Sequence, residues 1–255
     1  MEVIQIKPLI IAHRGASFDR PENSFAAFKL AYDQGAEGIE TDVHLSKDNV
    51  PVLIHDHTVN RVTSQKGLIK QFTFKELKQL DIGSWFDPNY HTERIMSLAD
   101  FLQWAKPRQL MINLELKTNK VDYPEIETIV YQAVEDLNML DRVIFSSFNH
   151  LSLEKLSQLN PTTYRALLAK RHSVRLIKLS QQLNLSGIHL KQRGINLITT
   201  KKYHQLNRYV GAYTVNQPID LRRCMRAKCD MIITDRPGLT IEKKELFLNQ
   251  KDDKF

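Results

Sequence analysis

The 255-residue chain holds only two cysteines, Cys224 and Cys229. Two thiols cannot build a disulfide framework, and with no further Cys or His beside them they do not form a zinc site. Both read as reduced packing residues. Long apolar runs are also missing, and nothing approaches the roughly 18 residues that a bilayer span requires, so no stable membrane insertion is expected. The opening MEVIQIKPLIIAHRG lacks the basic start, long apolar core and small-residue cleavage site of a secretory leader, which favours a cytoplasmic setting. No linker, low-complexity tract or repeat of solenoid period interrupts the sequence, and a single domain over residues 1–255 is expected.

What the chain does have is positive charge, +7 formally with a pI near 9.3. That balance suits an anionic substrate, an anionic surface or nucleic acid. The basic residues are scattered, however, and the aromatic-basic signatures of RNA modules are absent, so a solvated positive face without a nucleic-acid partner is the reading. A monomer or homodimer is expected.

Short β-branched runs alternate with amphipathic stretches of helix length, the pattern of repeated βα units around a parallel sheet. Candidate strands are Pro8–Ala12, Gly38–His44, Val50–Ile54, Leu110–Lys117, Val143–Ser146, Tyr164–Leu168, Gly187–Leu190, Val210–Val215 and Met231–Thr234. Helical spacing runs through Ser24–Gln34, Ser97–Ala105, Glu125–Leu137, Leu151–Leu159, Val174–Leu183, Thr200–Leu206 and Ile219–Lys228. About eight such units predict an α/β fold, a closed (β/α)8 barrel. Residues 57–94 break the rhythm with turn signals and one short helical stretch, FTFKELKQL. They read as a small insertion after the second barrel strand, in which Trp85, Phe86 and Tyr90 are expected to be buried anchors rather than an apolar mouth.

Strands buried on both faces should be almost continuously apolar, and two of these are not. In GIETDVHL, Glu40, Asp42 and His44 share a face; in MINLELK, Asn113, Glu115 and Lys117 do. Carboxylates converging at the C-terminal ends of barrel strands repel one another unless a cation lies among them, and hard oxygen donors point to one divalent cation, Mg²⁺ or Ca²⁺. His13-Arg14 ends the first strand and His55-Asp56 another. A metal site with two imidazoles, Arg14 and Lys117 suits a phosphate. Phosphodiester cleavage follows: Arg14 and Lys117 bind the phosphate, one of His13 and His55 deprotonates the nucleophile, and the other protonates the departing alkoxide. Which histidine does which is open, and so is whether water or a neighbouring substrate hydroxyl attacks. His44, about 6.6 Å beyond Asp42 along the strand, is expected at the rim. Gly15 is expected to turn the chain without crowding the anion. His57 and His189 read as structural.

In order along the chain, HRG with PENS, then GIETDVHLSKDNVPVLIHD, NLELK, YTVN and MIITDRP resemble the motifs of the glycerophosphodiester phosphodiesterases, most closely the short bacterial cytoplasmic members. The resemblance spans His13 to Pro237. It implies a TIM barrel with an insertion after the second strand and hydrolysis of a small glycerophosphodiester to sn-glycerol 3-phosphate and an alcohol. It also implies Glu40, Asp42 and Glu115 as metal ligands, His13 and His55 as acid and base, and Arg14 and Lys117 on the phosphate. Tyr213, where many members carry Trp, would line the substrate pocket. Glu22 and Asn23 fall at matched positions: Asn23 reads as the helix N-cap in PENS, and Glu22 as a first-turn carboxylate or a support to the site. Asp235 is expected to make a structural hydrogen bond. Alternatives are a related barrel phospholipase D acting on lysophospholipids, or a non-catalytic binder of phosphorylated ligands.

Overall fold

A computed structural model describes residues 7–252; residues 1–6 and 253–255 of the expected domain lie outside the described part. Strand β1 (Leu9–His13) leads to helix α1 (Phe25–Asp33), and β2 (Gly38–Leu45) turns back as β3 (Pro51–Leu53). After α2 (Phe74–Leu77) and α3 (Leu98–Ala105) the chain alternates: β4 (Met111–Leu116), α4 (Ile126–Glu135), β5 (Val143–Ser147), α5 (His150–Leu159), β6 (Tyr164–Ala169) and α6 (Val174–Gln182). It closes with β7 (Gly187–Lys191), α7 (Leu197–His204), β8 (Tyr209–Tyr213), α8 (Pro218–Arg226), β9 (Met231–Thr234) and α9 (Pro237–Asp252).

Eight strands pair in parallel around a ring, β1-β9-β8-β7-β6-β5-β4-β2, and the β1–β2 pairing closes it. The expected barrel is therefore present, and all nine candidate strands form. One does so differently. β3 lies outside the ring, antiparallel to the overhanging end of β2, with Val43 opposite Leu53 and Leu45 opposite Pro51. It returns toward the barrel mouth, and the Ile54 amide donates to the Asp42 carbonyl at 3.1 Å.

Two apolar layers sandwich the strands. Outward-facing residues such as Ile10, Ile39, Val43 and Leu114 pack on the helices, while Ile11, Ile144, Ala166, Met231 and Ile233 fill the barrel axis. That axis is narrow. A Cβ on Gly38 would stand 2.4 Å from the Met111 carbonyl oxygen, so only glycine lets β2 approach β4 there. The insertion has its own aliphatic cluster of Val52, Ile54, Val59, Val62, Ile69, Leu77, Ile82 and Ile95. The aromatic anchors expected from GSWFDPNY are not what holds it: Trp85 is 43% exposed, and Phe86 and Tyr90 are half-buried.

α9 is an element that the apolar spacing did not reveal. It packs on α8 and β1, and its buried Lys244 donates to Glu37 Oε2 at 3.1 Å, the same oxygen that accepts from the Ile10 amide at 2.8 Å. No helix among the described residues is long and apolar enough to cross a membrane.

Candidate active site

The inward face of the barrel changes character along its axis. Toward the C-terminal strand ends, apolar residues give way to His13 on β1, Glu40 and Asp42 on β2, and Glu115 on β4. Parallel register sets Glu40 beside Asn113 and Asp42 beside Glu115. Two carboxylates paired across a buried ladder destabilise each other unless cations intervene. They do: the Lys117 ammonium lies 2.8 Å from Asp42 Oδ1 and 2.7 Å from Glu115 Oε1, and Arg14 Nε is 3.1 Å from Asp42 Oδ2.

Position in this cluster sets each group's ionisation. Burial works against a charged Asp42, but Lys117 and Arg14 hold its pKa well below the usual carboxylate value. For Glu40, burial and the neighbouring charges of Asp42 and Glu115 act together and push it well above that value. Glu115 is raised mainly by burial, with Lys117 opposing. Burial also opposes charge on Arg14 and Lys117, yet the surrounding carboxylates raise both.

The first strand ends in a turn that aims two side chains. Arg14 adopts φ 57° and its amide donates to the Glu40 carbonyl at 2.8 Å. Gly15 follows at φ +84°, as the sequence suggested, but the crowding it avoids is not that of an anion. A Cβ there would meet the Ala27 carbonyl carbon of α1 at 2.6 Å. Ser24 caps α1 by accepting from the Ala27 amide at 3.1 Å.

Asn23 is therefore not the cap. Buried at 2% exposure, it donates from Nδ2 to Asp42 Oδ2 at 2.9 Å and accepts from Thr41 Oγ1 at 2.7 Å, which fixes the Asp42 carboxylate. Glu22 lies ahead of the helix rather than in its first turn. It accepts from Arg14 Nη1 at 3.0 Å and from both terminal nitrogens of Arg61, at 2.9 and 2.7 Å.

The two imidazoles face the cleft with different supports. His13 Nδ1 is 2.5 Å from Asp235 Oδ1 and its Nε2 is 3.9 Å from Glu40 Oε2. Asp235 also accepts from Ser17 Oγ at 3.2 Å and from the Asn216 amide group. This matches the hydrogen-bonding expected of Asp235, with His13 as the partner. His55 reaches the site from the return arm β3, and its Nδ1 is 2.9 Å from Asp56 Oδ1. Burial lowers the His55 pKa. Arg61, which no motif singled out, donates from Nε to Asp56 Oδ2 at 2.6 Å and so links the His55 support to Glu22 and Arg14.

His44 is not at the rim. It is buried, with Nδ1 2.9 Å from the Tyr123 hydroxyl and Nε2 3.1 Å from the His55 carbonyl oxygen, so it braces the loop that carries His55. Tyr213 closes the far wall, and its buried hydroxyl has no hydrogen-bond partner among the described residues.

These groups surround a cavity of about 170 Å³ lined by His13, Arg14, Glu40, His55, Lys117 and Tyr213 among others. Oxygen atoms of Glu40, Asp42 and Glu115 lie within 4.8 Å of one another. Three hard carboxylate donors, with Asn113 Oδ1 beside Glu40 and without a hydrogen-bond partner among the described residues, are a donor set that fits a divalent cation.

A parallel barrel with carboxylates, imidazoles and guanidinium gathered at its strand ends is the frame of a hydrolase acting on phosphate esters. The model of the glycerophosphoryl diester phosphodiesterase family matches residues 13–239, and the chain belongs to that family. Similar proteins include a glycerophosphodiester phosphodiesterase of Caldanaerobacter subterraneus subsp. tengcongensis, 37% identical over 238 residues, covering 92% of this chain and 97% of that one. A second, from Bacillus altitudinis, is 34% identical over 239 residues, 92% of this chain and 98% of the other. Among solved structures, an Oleispira antarctica phosphodiesterase in complex with the product sn-glycerol-3-phosphate is 29% identical, with a TM-score of 0.84 over 93% of this chain and 97% of that one.

Proposed function

We propose that this protein hydrolyses glycerophosphodiesters to sn-glycerol 3-phosphate and an alcohol, with one divalent cation, Mg²⁺ or Ca²⁺, held by Glu40, Asp42 and Glu115. The observation that carries this reading is the convergence of those carboxylates with Arg14, Lys117, His13 and His55 on one cavity. When bound, the cation supplies Lewis-acid stabilisation to a non-bridging phosphate oxygen. Arg14 and Lys117 hold the other non-bridging oxygen, Glu22 and Asn23 keep Arg14 and Asp42 in position, and Tyr213 lines the pocket for the glycerol carbons. In the reaction with water, a new bond forms from the water oxygen to phosphorus as the bond from phosphorus to the alcohol oxygen breaks. One imidazole takes the water proton and the other gives a proton to the alkoxide. An alkoxide is a poor leaving group without that proton.

The chain is read as one domain, since a continuous core runs from Ile10 on β1 to Leu248 on α9. A cytoplasmic setting suits its buried free thiols, Cys224 and Cys229.

The test is an assay of choline, ethanolamine, glycerol and inositol glycerophosphodiesters with Mg²⁺, Ca²⁺ or chelator. Turnover is expected with metal, and Glu40→Ala and His13→Ala each lower kcat by about 100-fold or more. Activity surviving both substitutions, or no cleavage of any diester by folded protein, refutes the proposal. A second reading, lysophospholipid cleavage, draws on Phe18 and Trp85, which are 53% and 43% exposed. Comparing glycerophosphocholine with lysophosphatidylcholine separates the two.

A further inference from the structure

The cavity described above is one of two that meet. A second lobe of about 150 Å³ is lined by Asp56, His57, Asn119 and Lys120. Both lobes share His55, Glu115, Lys117 and Phe148, so they join where the reading above seats the phosphate. Their walls differ in kind. The first is built mainly by strand residues, among them Glu40, Asn113, Leu168 and Tyr213, whereas the second is built mainly by the loops that follow β3 and β4, with His44 of β2 also on its wall. In a glycerophosphodiester the glycerol half is constant and the alcohol varies. The strand-walled lobe suits the constant half, and the loop-walled lobe suits the variable one.

The charge pattern of the second lobe narrows which alcohol it takes. Its carboxylates are already engaged: Asp56 by His55 Nδ1 at 2.9 Å and by Arg61 Nε at 2.6 Å, and Glu115 by Lys117 at 2.7 Å. Neither is left to face a cationic head group. Lys120 makes no ion pair with any described residue, and the side chains of Asn119 and His57 make no hydrogen bond with one. A quaternary ammonium needs several aromatic faces or a free carboxylate. Among the described residues, Phe148 is the one ring of Phe, Tyr or Trp on this wall. Unpaired donors in a half-open lobe instead suit an anion, which takes charge-assisted hydrogen bonds from Lys120, Asn119 and His57.

We propose that this second lobe is the subsite for the leaving alcohol and that it selects alcohols carrying a further anionic group, a phosphate or a carboxylate, with Lys120 as the selecting charge. The inference rests on the hydrolase reading given above. It predicts a preference among diesters that share the same glycerol phosphate half.

The experiment compares kcat/KM for bis(glycerophospho)glycerol, whose leaving alcohol is anionic, with that for glycerophosphocholine. The wild type should favour the first by about 10-fold, and Lys120→Glu should bring the ratio to about one. The same charge reversal at Lys178, exposed on α6, controls for net charge and should leave the ratio as it was. A wild-type ratio of one or below, or an equal fall in the Lys178→Glu protein, overturns the proposal. If the wild type turns over neither diester, the hydrolase reading fails and calorimetric binding of the same two compounds decides the subsite. Tighter binding of bis(glycerophospho)glycerol that Lys120→Glu abolishes supports it; equal binding by both proteins overturns it.

Discussion

Asp235 fixes how one of the two imidazoles is presented. Burial opposes its charge, but the hydrogen bond from His13 and those from Asn216 and Ser17 hold its pKa below the usual value, so it stays an acceptor. An acceptor carboxylate keeps the proton on His13 Nδ1 and leaves Nε2 facing the cleft. Asp235→Asn offers an amide that can donate to Nδ1 and favour the opposite tautomer. The expected outcome is a fall in kcat of about 100-fold with KM within about twofold, measured by steady-state kinetics. An unaltered kcat would remove Asp235 from the machinery. Reading the sequence located this Asp as a hydrogen-bonding residue but not its partner, because 222 positions separate them and only barrel closure brings them together. Asn23 was misread for the opposite reason. Asn and Ser are both good caps, worth about 1 kcal/mol, and only the backbone decides that adjacent Ser24 takes the role and frees Asn23 for Asp42.

At the scale of elements, alternation was a strong guide where a strand buries one polar face in the barrel. β2 and β4 were readable because Glu40, Asp42 and Glu115 interrupt otherwise apolar runs. Direction was less readable. VPVLIHD has the composition of one more barrel strand, yet Pro51 pairs opposite Leu45 in a hairpin, and His55 arrives at the mouth by coming back down rather than by going up. α9 escaped notice because Leu239, Ile241, Leu246, Phe247 and Leu248 do not form one stripe in its sequence. Its faces are divided between a partly polar junction with Glu37 and packing on α8. The insertion misled through its aromatics. The residues buried at its centre are aliphatic and lie dispersed from Val52 to Ile95, with Phe72 and Phe74 packed against them, and no short stretch of the sequence holds them together.

For the molecule as a whole, acidity acts through buried histidine. His189 is fully buried on β7 beside the Tyr209 hydroxyl, at 3.2 Å, and burial lowers its pKa from 6.5 to about 4. The folded state thus keeps His189 neutral while the unfolded chain takes up a proton below its ordinary pKa. Stability from this group is complete above about pH 6.5 and is lost as pH falls toward about 4, with no further loss below. At pH 4.5 the loss amounts to about 2.5 kcal/mol. Urea unfolding at pH 7 and 4.5 should show His189→Asn losing less stability than the wild type across that interval, and equal losses would contradict the assignment.

The hairpin of β2 and β3 has a consequence for heat. His55 lies two residues past β3; Val52 and the following Ile54 belong to the insertion's cluster, while Leu53 between them packs in the outer barrel layer. Local clusters open with their own free energies, and the smaller one, joined to the barrel here through Leu53, opens at less cost than the barrel itself. Warming should therefore silence the enzyme before it melts it: residual activity falls several degrees below the far-UV circular dichroism midpoint, and returns on cooling because the barrel never came apart.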